Sequence, residues 1–172
     1  MAISFYETSV PVFQQFLKAL LGVLDKAEQH CAEKGIDPAS LLGTRLIEDM
    51  QPLTFQIMQS INHSVGGLAT LRGQQRARPS GLETFAGAKR AIEEALAELE
   101  AIKPEELADA ETKPVELKFP GRELKFVGLG YLLGYAMPQF FFHVTTAYDI
   151  LRHKGVPIGK RDFLGRIPLI KT

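Results

Sequence analysis

The sequence predicts an all-α protein: an antiparallel up-and-down bundle of four long helices, with a small β-hairpin between the third and fourth helices. Four stretches repeat apolar residues at alternating steps of three and four, the pattern of an amphipathic helix. Residues 115–126 change to a period of two, which indicates a hairpin. The 172 residues are enough to bury one core without disulfides or metals. We therefore expect a single domain over residues 1–172.

The first helix is predicted to begin after Ser9, a favourable N-cap that is followed by Pro11 in the first turn. Lys34 and Gly35 supply a cationic last turn and a left-handed stop. A short helix is expected to open at Asp37. The apolar seam of the long helix comprises Phe13, Leu17, Leu20, Leu24, Ala27 and Cys31.

The second long helix is predicted from about Pro52 to Arg72. Gly66 and Gly67 weaken it by about 1 kcal/mol each relative to alanine, and the pair indicates either a close backbone approach or a bend. The apolar stripe comprises Leu53, Ile57, Ile61, Val65, Leu68 and Leu71. At 100° per residue, the opposite and polar side carries Gln56, Gln59, His63 and Thr70.

The third helix is predicted to open with a capping box from Ser80 to Glu83 and to end before Pro104. Its seam comprises Phe85, Ala88, Ile92, Ala95, Leu99 and Ile102. In the hairpin that follows, Pro120 and Gly121 suit the centre of a type II turn. Two strands cannot stand alone in water, so the hairpin must lie against the bundle.

The fourth helix is predicted to start at Met137 or Pro138 and to stop at Gly155. No formally charged residue lies between Lys125 and Asp149, a stretch long enough to cross a bilayer. Its glycines, proline, glutamine, histidine and threonines favour a loop followed by a helix enclosed in a soluble bundle. We therefore expect no membrane insertion.

Composition narrows the classes of partner and compartment. Lys plus Arg equals Asp plus Glu at 20 each, so no net field recruits nucleic acid or an anionic membrane. The single Cys31 cannot form an internal disulfide and fits a reducing compartment. The first residues lack the basic and apolar regions of a signal peptide. We expect a cytoplasmic protein without nucleic-acid or membrane partners.

Two segments carry a resemblance to a known family. The stretches "EDMQPLTFQI" and "PQFFFHVTTAYDILRHKGVPIGKRDFLG" resemble one uncharacterised bacterial branch, a domain of unknown function, of the DinB/YfiT-like superfamily of metal-dependent enzymes. The resemblance implies a four-helix bundle and a homodimer. It also implies a divalent metal, zinc or nickel, held by one histidine of the second helix and a His-x-x-x-His pair of the last. Some members use that metal to activate a low-molecular-weight thiol.

The resemblance maps onto two histidines of this chain. His63 matches the ligand of the second helix, and His143 matches the later histidine of the pair, but Gln139 stands where the earlier one is expected. A neutral amide oxygen is a poor third ligand for zinc or nickel, so the site is predicted to bind metal weakly or not at all. The residues alone favour a buried imidazole with a hydrogen bond for His143 and a solvated surface side chain for His63.

A ligand pocket is predicted around the same helix face. Gln139, His143 and Thr146 return near one angle at offsets of four and three. Tyr148 could donate or accept near such a pocket, and Asp49 is the nearby carboxylate that could substitute as a ligand.

Two functions remain open on this basis. The first is an uncharacterised DinB-like protein with a degenerate or weak metal or small-ligand site and no assignable substrate. The second is a metal-dependent enzyme, a hydrolase or thiol transferase, that activates water or a low-molecular-weight thiol.

Overall fold

A computed structural model describes residues 4–167 and residue 169. Four long helices form a bundle, and two of them, α3 and α5, each contain one internal π-helical turn. The first half of the chain forms α1 (Val10–Lys34), α2 (Pro38–Leu42) and α3 (Leu53–Ile61, the π turn Asn62–Gly66, and Gly67–Leu71). The second half forms α4 (Phe85–Ala101), a 3-10 turn (Pro104–Leu107), β1 (Pro114–Phe119), β2 (Arg122–Val127), α5 (Gly128–Tyr131, the π turn Leu132–Ala136, and Met137–His153) and α6 (Lys160–Leu164).

Two helix starts differ in detail from the prediction. The hydroxyl of Ser9 precedes α1 as expected, but it donates to the carbonyl of Phe5 at 2.8 Å rather than accepting from the first turn. Helix α4 begins at Phe85, not within the capping box predicted at Ser80. The hydroxyl of Thr84 accepts from the N–H of Gly87 at 3.0 Å, and this cap determines where the helix begins.

The fourth long helix starts nine residues earlier than predicted, at Gly128, so the expected loop is absent there. The glycines of this segment predicted a break, yet packing against the bundle keeps them helical. Pro138 lies just beyond the π turn, where the N–H of Met137 donates to Leu132 instead of the residue four positions back. The wider turn makes room for the proline ring, which would otherwise clash with the preceding turn.

The core follows the predicted seams. Every residue of the three seams predicted for α1, α3 and α4 is buried, including Cys31 at 2% exposure. Phe140, Val144 and Leu151 of α5 complete the core between them. Gln56 was predicted on an exposed polar side of α3, and this was wrong. It is 2% exposed, because that side of α3 faces α5 rather than water.

The bundle is built from antiparallel neighbours, α1 with α4 and α3 with α5. The direction of successive long helices does not alternate throughout, because one consecutive pair is parallel. Arg72 and Arg76, which follow the end of α3, pair with Glu106, which follows α4, and with Glu98, in the last turn of α4. Helices α3 and α4 therefore run in the same direction, and the linker between them returns along α4.

The hairpin is the predicted one. Strands β1 and β2 pair antiparallel, with Phe119 opposite Arg122 across a two-residue turn. Gly121 has a φ of 72°, as the second central position of a type II turn requires. Phe126 packs against Tyr131 and Tyr135, which attaches the hairpin to the start of α5. Within the described residues, no helix has the length and apolar character needed to span a bilayer.

Candidate functional site

The two histidines singled out in the sequence lie face to face across the α3–α5 interface. His63 belongs to the π turn of α3, and His143 lies in the middle of α5. Their ring centroids are 5.6 Å apart and the ring planes differ by 5°. The structure thus brings together two residues that are 80 positions apart in the chain, and we call them the paired histidines.

Gln56 holds one of the two rings. Its Oε1 lies 2.7 Å from Nδ1 of His143, and its Nε2 donates to the carbonyl of Gln51 at 2.9 Å. Because the amide nitrogen is used by Gln51, the oxygen must be the acceptor, and Nδ1 of His143 carries the proton. The lone pair of His143 is then on Nε2, the nitrogen available to a ligand, a proton or a metal.

The surroundings keep both imidazoles neutral. Burial lowers the pKa of His63 from 6.5 to about 4. Burial, and secondarily the charge that His63 would carry, lowers the pKa of His143 to about 4. Removing an imidazolium from water is unfavourable, and two such charges at this distance repel each other. At neutral pH the site therefore offers unprotonated nitrogen acceptors.

Aromatic side chains enclose the pair. Phe55 and Phe142 present edges to His143, with centroids at 6.0 and 5.2 Å. Tyr135, in the π turn of α5, lies 5.8 Å from His63. Both π turns thus contribute a side chain to the site, and such turns are frequent at functional sites.

A close helix–helix contact lies beside the π turns. A Cβ on Gly67 would stand 3.3 Å from the Cβ of Ala136 and 3.7 Å from the hydroxyl of Tyr131. The glycine pair was predicted to permit either a close backbone approach or a bend, and Gly67 permits the close approach of α3 to α5. It allows α3 and α5 to pack tightly enough for the histidine rings to meet.

His63 also lines a groove of about 880 Å³, which we call the hairpin groove. Its floor is the polar face of α3, one wall is strand β1, and the other is the linker after α3. Tyr131 and Tyr135 close the side towards α5. The α3 residues on the floor are Gln59, Asn62, His63, Gly66 and Thr70.

The other predicted pocket residues do not line this groove. Gln139 is half-buried, one turn before His143. The buried hydroxyl of Thr146 donates to the carbonyl of Phe142 at 2.7 Å. Tyr148 packs edge-on against Phe163 of α6, and Asp49 is exposed in the loop before α3. Their assignment to a ligand site stays a prediction.

The donor set does not complete a transition-metal site. A catalytic zinc usually has three protein ligands of nitrogen, sulfur or carboxylate type. Among residues 4–167 and 169, no three His, Cys, Asp or Glu side chains are grouped so that they could hold an ion. The paired histidines supply two nitrogens, and Gln139 supplies only an amide at the position of the third.

Sequence analysis missed Gln56 and Tyr135. A signal for Gln56 was present, since it stands seven residues before His63 and therefore shares its helix face. Tyr135 lay in a segment predicted as loop, so no helix face could be assigned to it.

The fold and the paired histidines define the class, a DinB-type helical bundle. The chain is similar to a crystal structure of a DinB family member protein from Shewanella denitrificans, with 34% identity and a TM-score of 0.84. That match covers 97% of this chain and 95% of the other. No curated protein matches the chain.

The family model of a domain of unknown function, DUF1993, matches residues 5–164. This chain belongs to the DUF1993 family. The resemblance inferred from the two sequence segments is thereby confirmed for the fold and the family.

Proposed function

We propose that this DUF1993 protein has a degenerate metal site that serves as a small-ligand site at the paired histidines and does not retain a metal tightly. The observation that carries the proposal is the donor set. His63 and His143 meet across the α3–α5 interface, but a glutamine occupies the position where the resemblance requires a third histidine. No substrate follows from these residues.

The chemistry of such a site is that of a neutral acceptor. Gln56 orients His143 so that Nε2 carries the lone pair. With a pKa of about 4 for each ring, the pair would accept a hydrogen bond from a ligand N–H or O–H at neutral pH. Burial strengthens such a hydrogen bond at His143, which is 7% exposed.

One observation favours the second function, a metal-dependent enzyme that acts on water or a low-molecular-weight thiol. Two imidazoles bound to one tetrahedral ion have their ring centroids about 5 Å apart, given a metal–nitrogen distance of about 2 Å. The observed separation of 5.6 Å is close to this value. A third ligand from water or from the substrate would then be required.

Metal content of the purified protein, measured by plasma mass spectrometry after dialysis, separates the two functions. We expect wild type to lose added zinc or nickel. Gln139→His restores the His-x-x-x-His spacing with both rings on one face of α5, and should retain zinc. Lys18→His adds a histidine on the exposed side of α1, with no His, Cys, Asp or Glu one turn away, and is the control.

Stoichiometric metal in dialysed wild type would refute the degenerate site and favour the enzyme. Equal zinc affinity of wild type and Gln139→His by calorimetry would show that position 139 does not face the paired histidines.

We also propose that the protein is a homodimer. Three large apolar side chains of α5 are exposed in a segment without charge: Leu129 is 41% exposed, Leu133 50% and Phe142 56%. Exposed apolar surface on one helix favours an interaction site there. A two-fold axis would bury the same surface on both chains.

A further inference from the structure

The hairpin groove has an uneven charge distribution. Three cations line it, Arg76, Arg78 and Lys118, together with one acid, Glu116. Glu98 neutralises Arg76 at 2.6 Å, and Glu116 lies 3.4 Å from Lys125. This imbalance occurs in a chain whose formal net charge is zero.

Two of these cations have no acidic partner in the structure. Across the described part of the chain, no carboxylate lies within 4 Å of Arg78 or Lys118. Both side chains are exposed. Arg78 belongs to the linker wall and Lys118 to the strand wall, so the groove has an unpaired cation on each side.

The strand wall adds backbone donors. Every strand residue that lines the groove belongs to β1, so the edge of β1 that is not paired with β2 borders the groove. Phe119 and Arg122 flank a two-residue turn and form a hydrogen-bonded pair, and such pairs alternate along an antiparallel ladder. The N–H groups of Glu116 and Lys118 therefore point away from β2. Backbone N–H groups of this kind bind anions.

The remaining lining suits an apolar body beside the anion. Leu117 is half-buried, and Phe119 is 42% exposed. On the floor, Asn62 donates to Oε1 of Gln59 at 2.8 Å, which leaves the amide nitrogen of Gln59 as a donor. An occupant thus meets cations, amide donors and apolar surface within one groove.

We propose that the hairpin groove binds a small organic carboxylate, with the carboxylate between Arg78, Lys118 and the free edge of β1, and the apolar body against Leu117 and Phe119. Charge-assisted hydrogen bonds to a carboxylate are the strongest contacts that these groups can make. The inference deepens the small-ligand site proposed above and rests on it, because His63 lies on the same floor.

The test uses sodium benzoate as the probe and the backbone amide NMR signals of Gly66 and Gly73 as the readout. EDTA is present and ionic strength is held constant, so no metal takes part and general screening is the same throughout. We expect saturable shifts with benzoate and much smaller shifts with benzamide, which has the same ring without the charge.

Variants then locate the anion. Arg78→Gln and Lys118→Gln should each raise the benzoate Kd by about tenfold, the loss of about one charge-assisted contact. Lys113→Gln makes the same charge change directly before β1 but does not line the groove, and should leave the Kd unchanged. All three substituted side chains are exposed, so we expect the variants to fold as wild type does.

Three outcomes would overturn the proposal: equal shifts with benzamide, a Lys113→Gln effect as large as that of Lys118→Gln, or sulfate binding with the same Kd as benzoate. The last would indicate an anion site without recognition of the organic body. Failure here is distinct from failure of the degenerate site, which depends on zinc retention and Gln139→His.

Discussion

The hydrogen bond between Gln56 and His143 is the contact on which the geometry of the site depends, and Gln56→Leu tests it. Leucine has a similar volume but cannot accept the Nδ1 proton of His143. The carbonyl of Gln51 also loses its donor, but Gln51 is exposed and water can replace it. The imidazole has no such replacement, because His143 is 7% exposed.

The expected loss follows from that burial. Leaving a buried donor without an acceptor costs about 1–3 kcal/mol, whereas replacing both partners by apolar groups is nearly neutral. Gln56→Leu should therefore lower the free energy of unfolding by about 1–3 kcal/mol, and the double variant with His143→Leu should be at least as stable as His143→Leu alone. The coupling energy of this double-mutant cycle is the quantity to measure.

Urea unfolding followed by circular dichroism at pH 7.5, where both site histidines are neutral, gives the four free energies. Gln59→Leu is the matched control, since it removes a glutamine from the same helix whose partner, Asn62, is half-buried and can be hydrated. Gln59→Leu should change the free energy of unfolding by no more than about 0.5 kcal/mol. The ¹⁵N shifts of the His143 ring should report Nε2 as the unprotonated nitrogen in wild type and a mixture of tautomers in Gln56→Leu.

A coupling energy below about 0.5 kcal/mol, the limit of additivity for independent sites, would refute this account of the site. The same conclusion would follow if the wild-type ring carried its proton on Nε2. Either result would mean that Gln56 does not orient His143.

Further predictions concern pH, packing and association. The pKa of His63 and of His143 is about 4 in the folded protein against about 6.5 unfolded, so the unfolded chain binds more protons between these values. The neutral histidines therefore contribute their full stability above pH 6.5, and the free energy of unfolding falls as the pH approaches 4, by roughly 3 kcal/mol for the buried His143. In urea titrations, the free energy of unfolding of the double variant His63→Gln, His143→Gln should depend less steeply on pH than that of wild type. Equal slopes would contradict the assigned burial. Gly66→Ala should raise the unfolding free energy by about 0.5–1 kcal/mol, because the added Cβ would make only an ordinary contact of 3.9 Å with the carbonyl oxygen of Ile61. Gly67→Val should lower it by about 1–3 kcal/mol, because a Cβ there already stands 3.3 Å from a neighbouring methyl. The opposite order in thermal unfolding would argue against the close α3–α5 contact. Multi-angle light scattering should give twice the mass of one chain for wild type and the mass of one chain for Phe142→Glu. A monomeric wild type at micromolar concentration would refute the dimer.

Much of the fold could be predicted from periodicity. The three apolar seams of α1, α3 and α4 are buried as expected. Apolar residues spaced three and four positions apart lie on one side of a helix, and only that side is removed from water on folding. The hairpin was predicted for the same reason, since its period of two fits no helix. The start of α5 at Gly128 was not predicted. Local propensity opposes a helix that contains three glycines and a proline, and only packing against α3 and the hairpin overrides it.

The candidate site was predicted in part. His63 and His143 were nominated by resemblance, and the structure places their rings together. Gln56 was placed on the solvent side because helix periodicity distinguishes apolar from polar faces but does not say which neighbour a polar face meets. The hairpin groove combines α3 and the linker after it with β1, which lies about 40 residues further along the chain, so no local pattern could have indicated it.

The sequence by itself determined the four amphipathic helices, the hairpin, the two histidines and the glutamine at position 139, because these depend on residue type and local spacing. Only the tertiary structure decided that Gln56, on the polar face of α3, is buried and fixes the tautomer of His143, and that two π turns bring His63 to Tyr135. These features depend on how helices distant in the chain pack. A buried polar group must find its partner in whichever element is adjacent, and adjacency across a bundle is set by the summed packing of all four helices.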